Sequence, residues 1–221
     1  MSLDWSILHW IQNMLVCPAL NFLMPKITLL GNGGMIWLLA SGVLICTKKY
    51  RRQGILLLCG LAAGVLVGNV FLKNFVARPR PCWLDSSVRL LIANPTDYSF
   101  PSGHTLSSVI GATILTKTDR RFGYAAIPLA ALIAFSRLYL YVHFPSDVLA
   151  AAVLGVLIGK VSDRVGMHLI NWMEQVWKET RTVGSCGYNR VELDAKTARI
   201  DPDAPCPCGS GKRYRQCCGR K

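Results

Sequence analysis

Apolar runs, separated by short polar or basic loops, limit what this chain can fold into more than any other feature. Hydrophobic residues make up 52% of the 221 positions, and the mean hydropathy is +0.33. An ordinary soluble domain does not gather its apolar residues into runs of this kind. The pattern predicts an all-α fold, a polytopic membrane bundle of six transmembrane helices.

The six predicted spans differ in length and clarity. The first lies within residues 4–30, where prolines and a lysine interrupt the apolar run. The five that follow cover residues 35–46, 54–72, 106–115, 124–141 and 148–161. Several are shorter than the roughly 20 residues that a span usually needs, so we expect the residues at their ends to extend these helices.

Basic loops predict the orientation of the bundle. Lysines and arginines cluster at 48–52, between the second and third spans, and at 117–121, between the fourth and fifth. The positive-inside rule places both loops in the cytoplasm. With six spans, both ends of the chain are then cytoplasmic. We see no removable signal peptide, so the first span is expected to direct the chain to a bacterial plasma membrane.

The formal net charge of +13 is compatible with nucleic acid or with an anionic membrane surface. In a chain dominated by apolar runs we favour the membrane surface, and we expect no nucleic-acid partner. The chain has nine cysteines, but their positions do not suggest a disulfide framework.

Three polar motifs, at 73–81, 101–104 and 136–147, flank the predicted spans on the side opposite the basic loops. They contain three strong cations, a hydroxyl, a glycine amide, two histidines and one carboxylate: Lys73, Arg80, Arg137, Ser102, Gly103, His104, His143 and Asp147. Two of the motifs begin predicted helices, and the amides and dipole of a helix N-terminus favour a phosphate group.

These side chains suit phosphoryl transfer through a phospho-histidine. Cations can hold the non-bridging oxygens and neutralise the charge that develops on them. One histidine can attack phosphorus while a carboxylate fixes its tautomer, and a second can protonate the leaving oxygen near neutral pH.

The same motifs resemble those of the type-2 phosphatidic acid phosphatase family of membrane lipid phosphatases. That pattern is Lys-x6-Arg-Pro, then Pro-Ser-Gly-His, then Ser-Arg-x5-His-x3-Asp, and every element is present in order within about residues 1–165. The resemblance implies that His143 is the nucleophile, Asp147 its orienting partner and His104 the general acid. It also implies phosphate binding without a metal cofactor by Lys73, Arg80, Ser102, Gly103 and Arg137.

Simpler interpretations exist for individual residues. His143 and Asp147 could form a structural pair, and Ser102 could be a plain helix N-cap. Lys73 and Arg80 could be interfacial anchors whose charged ends reach water. The matching order of the motifs and their common membrane face favour catalysis. Arg78 lies outside the fixed positions and is interpreted as surface charge, and the loop 76–100 is expected to cover the site.

The C-terminal part is divided into an amphipathic helix with a polar linker, at 166–205, and a short tail, at 206–221. The tail is similar to the SEC-C zinc motif, and its four cysteines are the predicted metal ligands: Cys206, Cys208, Cys217 and Cys218. Thiolates at this spacing suit tetrahedral zinc. The resemblance implies docking to a cytoplasmic protein partner.

These observations predict an integral membrane phosphatase that hydrolyses a lipid phosphate or diphosphate at the outer membrane face. Undecaprenyl diphosphate is the first-choice substrate, by family analogy alone. The enzymatic alternatives are phosphatidic acid and phosphatidylglycerol phosphate. A non-enzymatic alternative is a membrane-anchored adaptor that presents the zinc tail to cytoplasmic partners.

Overall fold

The structure, a computed structural model, describes residues 3–184, 201–206, 210–217 and 219, with the backbone alone over 178–184. The chain divides into two compact units, Met1–Met167 and His168–Lys221. The predicted domain limits at 165 and 205 stay predictions.

Helices make up the regular structure of the described residues. Nine α-helices occur there in chain order: α1 Leu3–Met14, α2 Pro18–Leu30, α3 Met35–Cys46, α4 Arg51–Gly64, α5 Lys73–Val76, α6 Pro81–Leu84, α7 Gly103–Thr118, α8 Arg120–Tyr139 and α9 Pro145–Gly184. A 3₁₀ turn, Asn32–Gly34, joins α2 to α3, and a π-helical stretch, Val65–Leu72, joins α4 to α5. The prediction of a helical fold is confirmed for this part of the chain.

Helix α7 lies at the centre of the first unit. Three of its apolar side chains, Leu106, Ile110 and Ile114, are at most 2% exposed. Helix α9 packs closely against it, because a Cβ atom at Gly155 would lie only 2.8 Å from the Cβ of Val109. Small residues that let helix backbones approach in this way are typical of membrane helix interfaces. This packing brings the N-terminal ends of α7 and α9 together, and both ends carry motif residues.

Helix α4 and the π-helical stretch form one long apolar segment that ends at the site. π-Helical stretches are rare and often occur at functional sites. Here the stretch leads directly into α5, whose first residue is the motif residue Lys73. The segment therefore delivers a cation to the end of a helix that is otherwise apolar.

Length and hydropathy identify fewer spans than the sequence analysis predicted. Within the described residues, two segments could cross a membrane, Arg51–Leu84 and Arg120–Tyr139. A third candidate is a bent pair, Pro18–Leu30 with Asn32–Cys46, whose axes differ by 45°. Gly33 and Gly34 make this bend with φ angles of 57° and 71°, in the region that favours glycine. Counted as one span, this bent pair would join the first and second predicted spans, and the six-span count stays a prediction.

Helix α1 lies at the same end of the bundle as the motifs. The carboxylate of Asp4 accepts hydrogen bonds from the backbone N–H and the hydroxyl of Ser146, at 3.0 and 2.6 Å. Gln12 donates to the carbonyl of Tyr139, the last residue of α8, at 2.9 Å. These contacts differ from the prediction that the chain begins on the face opposite the site.

The second unit contains the end of α9 and a short folded tail. An isolated antiparallel bridge joins Pro205 to Arg213, and the N–H of Cys206 donates to the carbonyl of Lys212 at 2.8 Å. A single 3₁₀ turn, Tyr214–Gln216, follows the bridge. Helix α9 covers the beginning of the predicted 166–205 segment, and residues 185–200 of that segment lie outside the described part.

Candidate active site

A cavity of about 720 Å³ lies where the three motifs meet. Its lining includes six of the eight predicted motif residues: Lys73, Arg80, Gly103, His104, Arg137 and His143. Ser102 and Asp147, the other two, are fully buried and lie behind this lining. The charged residues of the lining are three cations and Asp97, which leaves an excess of two positive charges facing the cavity.

The cations of the cavity are withdrawn from solvent. Lys73, Arg80 and Arg137 are 7%, 2% and 4% exposed. Buried cations are costly unless an anion accompanies them. Interfacial anchors with solvated ends would be far more exposed than this, so burial around a common cavity favours anion binding.

Asp97, which the sequence analysis did not single out, bridges two of these cations. Its carboxylate accepts from Lys73, and its Oδ1 accepts from Arg80 Nη2 at 2.8 Å. Burial alone would raise the pKa of Asp97, but the hydrogen bond from Lys73 and the charge of Arg80 lower it to about 2. Asp97 therefore stays ionised at neutral pH and supplies the negative charge that a bound phosphate would otherwise provide.

Arg137 has unused hydrogen-bonding capacity. Its Nη1 donates to the hydroxyl of Thr28 at 2.5 Å. Its buried Nε has no hydrogen-bond partner within the described part of the chain. Buried polar groups are nearly always satisfied, so this unpaired nitrogen leaves the guanidinium of Arg137, a residue of the cavity lining, short of one acceptor.

His143 lies between Arg80 and a buried hydroxyl. Its Nε2 is 3.0 Å from Arg80 Nη1, and its Nδ1 is 3.3 Å from Ser99 Oγ. Burial lowers the pKa of His143, and the charges of Arg80 and Arg137 act in the same direction. The imidazole is therefore neutral near pH 7, as a nucleophile must be.

Asp147 is held by groups on both of its carboxylate oxygens. Oδ2 accepts from Ser99 Oγ at 2.5 Å and from the N–H of Phe144 at 3.0 Å. The other oxygen, Oδ1, accepts from Arg78 Nη1 at 2.6 Å. The separation between Asp147 Oδ2 and His143 Nδ1 is 3.8 Å, too long for a direct hydrogen bond.

Arg78 is not the surface charge that its position outside the motif suggested. Besides Asp147 it pairs with Asp4 at 2.8 Å, and its guanidinium lies over the ring of Phe144, 4.1 Å from the centroid. Its side chain is 28% exposed. Arg78 therefore neutralises the predicted orienting carboxylate and ties α1 to the start of α9.

The Pro-Ser-Gly-His motif begins α7. His104 Nε2 is 2.8 Å from Oδ1 of Asn32, in the turn between α2 and α3. Ser102 is the N-cap residue, but its side chain makes no capping bond and accepts instead from the hydroxyl of Thr105 at 3.0 Å. The first amides of α7 are free of intrahelical acceptors, as at every helix N-terminus, and they adjoin the cavity through Gly103.

Sequence reasoning missed four residues that form hydrogen bonds with the motif side chains: Thr28, Asn32, Asp97 and Ser99. They lie outside the three spaced motifs and reach the site from α2, from the α2–α3 turn and from the loop before α7. Nothing in their spacing marks them. Only the position of Asp97 and Ser99, shortly before the Pro-Ser-Gly-His motif, could have drawn attention to them.

The predicted tail site can be examined only in part. Cys206 and Cys217 are described, whereas Cys208 and Cys218 lie outside the described residues. The bridge between Pro205 and Arg213 turns the chain back on itself between the two described cysteines. Thiolates on the arms of such a hairpin suit zinc, and these cysteines would hold it. Within the described residues no group of three or more potential ligands is assembled.

Sequence comparisons agree with the geometry of the cavity. The profile of the PAP2 superfamily matches residues 53–169, more than half of the chain, and the SEC-C motif profile matches residues 204–220. An undecaprenyl-diphosphatase of Sulfolobus acidocaldarius is 34% identical over 131 residues, which cover 59% of this chain and 63% of that protein. The chain thus spans less than two thirds of that relative, and 55% of the Bacillus subtilis undecaprenyl-diphosphatase BcrC, which is 31% identical over 51% of this chain.

Two solved structures resemble the fold. The crystal structure of Aquifex aeolicus LpxE is 28% identical with a TM-score of 0.66, covering 74% of this chain and 96% of that one. A transmembrane PAP2-type phosphatidylglycerolphosphate phosphatase from Bacillus subtilis is 27% identical with a TM-score of 0.62, covering 75% of this chain and 85% of that one. With its family profile, its spaced motifs and its helical bundle in agreement, the chain belongs to the PAP2 superfamily.

Proposed function

We propose that the protein is a membrane lipid phosphatase that works through a phospho-histidine at His143, without a metal at this site. One observation carries the proposal: three buried cations surround a cavity that also exposes His143 and His104. Their three positive charges exceed the one negative charge of the lining carboxylate, Asp97. Arg137 also retains an unpaired nitrogen. The phosphate group would displace Asp97 from Lys73 and Arg80 and would pair with the guanidinium of Arg137.

The first chemical step forms a bond between His143 Nε2 and phosphorus. The bond from phosphorus to the leaving oxygen breaks, and His104 gives that oxygen its proton. The three cations and the first amides of α7 stabilise the charge on the equatorial oxygens. Asp147 favours the positively charged imidazole that results.

The second step releases phosphate. A water molecule attacks the phosphoryl group, the bond between phosphorus and Nε2 breaks, and neutral His104 accepts the proton of the water. His143 returns to its neutral form. Both histidines then have the protonation states with which the cycle began.

The substrate is a lipid that carries a terminal phosphate or diphosphate, with undecaprenyl diphosphate as first choice. The names of the Sulfolobus and Bacillus relatives support this choice. Phosphatidylglycerol phosphate is the second candidate, because one similar solved structure is a phosphatase of that lipid. Phosphatidic acid is the third. The headgroup would reach the cavity from the bilayer while the lipid tail stays among apolar side chains.

The site would face the outer side of the plasma membrane. Helices α7 and α8 meet at Asp119, next to the basic residues Arg120 and Arg121, at the end of α7 away from the site. The positive-inside rule places this junction in the cytoplasm. Because α2 and α3 form one bent segment, five crossings fit the helices better than the predicted six: α2 with α3, α4 with the π-helical stretch, α7, α8 and α9.

Five crossings place α1 on the outer face, where Asp4 contacts Ser146. They keep the predicted cytoplasmic location of the tail, which would bind zinc and a cytoplasmic protein partner there. A membrane-impermeant maleimide would label a Ser6→Cys variant in intact cells, with the native cysteines replaced. Labelling only after the cells are opened would return α1 to the cytoplasm and restore six crossings.

The adaptor alternative, in which the site is inert, is separated from the enzyme by phosphate release. Purified protein in detergent with EDTA would be given undecaprenyl diphosphate, phosphatidylglycerol phosphate and phosphatidic acid. We expect turnover of at least one lipid by the wild type and by Cys206→Ala, and none by His143→Ala. Absence of turnover from every form on all three lipids would reject the phosphatase and leave the adaptor.

A further inference from the structure

We propose that Ser99 is a positioning residue that couples Asp147 to the nucleophile His143. Its hydroxyl accepts a hydrogen bond from Nδ1–H of His143 and donates one to Oδ2 of Asp147. This inference rests on the proposed function, because it assigns Ser99 a part in preparing the same histidine. Ser99 belongs to none of the three motifs, and it lies in the loop before α7.

The distances favour a bridging hydroxyl over a direct contact. Ser99 Oγ lies 3.3 Å from His143 Nδ1 and 2.5 Å from Asp147 Oδ2. The direct separation of Nδ1 and Oδ2 is 3.8 Å. Ser99 is 0% exposed, so no bulk water competes for its hydroxyl. Its backbone N–H donates to the carbonyl of Arg78 at 2.8 Å, which fixes the position of the bridge.

Donor and acceptor roles allow one arrangement of protons. A guanidinium can only donate, so His143 Nε2, at 3.0 Å from Arg80 Nη1, must act as an acceptor. The single proton of the neutral imidazole is then on Nδ1. Asp147 receives N–H donors on both of its oxygens and has none to give. The Ser99 proton therefore points to Asp147, and its oxygen is free to accept from Nδ1.

This arrangement orients the imidazole of His143 and stabilises its positively charged form, as a direct contact with a carboxylate would. Together with the Arg80 contact it keeps the proton on Nδ1, and Nε2 can attack once the incoming phosphate draws Arg80 Nη1 away from its lone pair. When Nε2 bonds to phosphorus the ring gains positive charge while the Nδ1 proton stays in place. The Ser99 oxygen, polarised by the negative charge of Asp147, stabilises that cation.

The kinetic test compares Ser99→Ala with Ser41→Ala as a matched control. Ser41 is 1% exposed and donates to the carbonyl of Gly54 at 2.8 Å, between α3 and α4. Both variants lose one buried hydroxyl, but only Ser99→Ala changes His143. We expect kcat of Ser99→Ala to fall by about 100-fold, less than the roughly 10⁴-fold loss that follows when a catalytic histidine loses its tautomer-fixing partner, because Arg80 still keeps the proton on Nδ1. KM should change by less than about three-fold, since the phosphate-binding cations are untouched.

A spectroscopic test does not depend on turnover. The chain has four histidines, so ¹⁵N-histidine labelling with His143→Ala as reference assigns the imidazole signals of His143. Arg80 keeps the proton on Nδ1 in all three forms, so the readout is the Nδ1–H proton signal. We expect the downfield position of a hydrogen-bonded proton in the wild type and in Ser41→Ala, and an upfield shift in Ser99→Ala. An unchanged Nδ1–H signal together with an unchanged kcat would overturn the role of Ser99, even where His143→Ala abolishes turnover and the phosphatase stands. Absence of turnover from the wild type would instead reject the proposed function, and the Nδ1–H measurement alone would then decide the role of Ser99.

Discussion

Asp97 occupies the position at which a phosphate group would meet Lys73 and Arg80, so neutralising it should tighten anion binding. Asp97→Asn keeps the size of the side chain and removes its charge. Because the pKa of Asp97 is lowered to about 2, protonation cannot release the cations at any pH used for an assay. The carboxylate has to be displaced by the incoming anion, and the variant removes that cost.

The size of the effect follows from the burial of the partners. Asp97 is 53% exposed, whereas the side chains of Lys73 and Arg80 are 9% and 3% exposed. Exposed ion pairs contribute about 0.2–1 kcal/mol, and these pairs are more buried on the cationic side, so we assign about 1 kcal/mol to each. Two pairs amount to about 2 kcal/mol, or about a 30-fold change in dissociation constant.

The assay is calorimetric titration of detergent-solubilised protein with vanadate, a phosphate analogue. Asp85→Asn is the matched control, because Asp85 is in the same loop but accepts from Tyr141 and Ser87, at 2.9 Å each, rather than from the cavity cations. We expect tighter binding by Asp97→Asn and no comparable change in Asp85→Asn. Unchanged or weaker binding by Asp97→Asn would refute the displacement argument and would make Asp97 a residue that organises the cations.

Three further predictions follow from other contacts. Arg78→Ala leaves Asp147 Oδ1 buried without its cation. We therefore expect kcat to fall by about 10-fold or more and the melting temperature to drop. Wild-type values of both quantities would show that Arg78 is only a surface charge. Gly54→Ala places a Cβ 2.7 Å from a backbone nitrogen of α3 and should lower the free energy of unfolding by about 1–3 kcal/mol. The control Gly42→Ala, whose Cβ would have no atom within 4 Å, should not destabilise the protein. Equal stability of the two variants in thermal unfolding would mean that α3 and α4 are packed differently. Because the pKa of His143 is lowered, its neutral form persists below the usual histidine pKa of about 6.5, so the acid limb of kcat/KM should lie below that value; a limb at or above about 6.5 would contradict a neutral buried nucleophile.

The motif residues could be predicted because they recur at fixed spacing. Lys73 ends an apolar segment, and the Pro-Ser-Gly-His motif begins the next helix. Loop charge and motif positions independently placed the three motifs on one face, and residues of all three line or adjoin the cavity. The candidate cations and histidines could therefore be named from the amino-acid sequence alone.

The partners of these residues could not be predicted, because they depend on contacts through space. Asp97 and Ser99 lie in a loop without periodicity, and they reach Arg80 and Asp147 only after the bundle has formed. The pairing of Arg78 with Asp4 joins residues 74 positions apart. No local pattern encodes such a distance in sequence.

The chain bends by 45° between the first two predicted spans. The apolar runs on either side of Gly31 resemble two short spans, because hydropathy contains no information on the direction of a helix axis. Two left-handed glycines, Gly33 and Gly34, redirect the chain by 45° rather than reversing it. Turn composition alone cannot distinguish a bend from a reversal.

Trapping of the phosphoenzyme tests the central claim most directly. Wild-type protein and His143→Ala would be mixed with ³²P-labelled lipid substrate, with EDTA present, and quenched within the first turnover. The account predicts an acid-labile, alkali-stable label on wild-type His143 and neither label nor turnover in His143→Ala. Turnover by the wild type with no such label, or turnover by His143→Ala, would contradict phosphoryl transfer through this histidine.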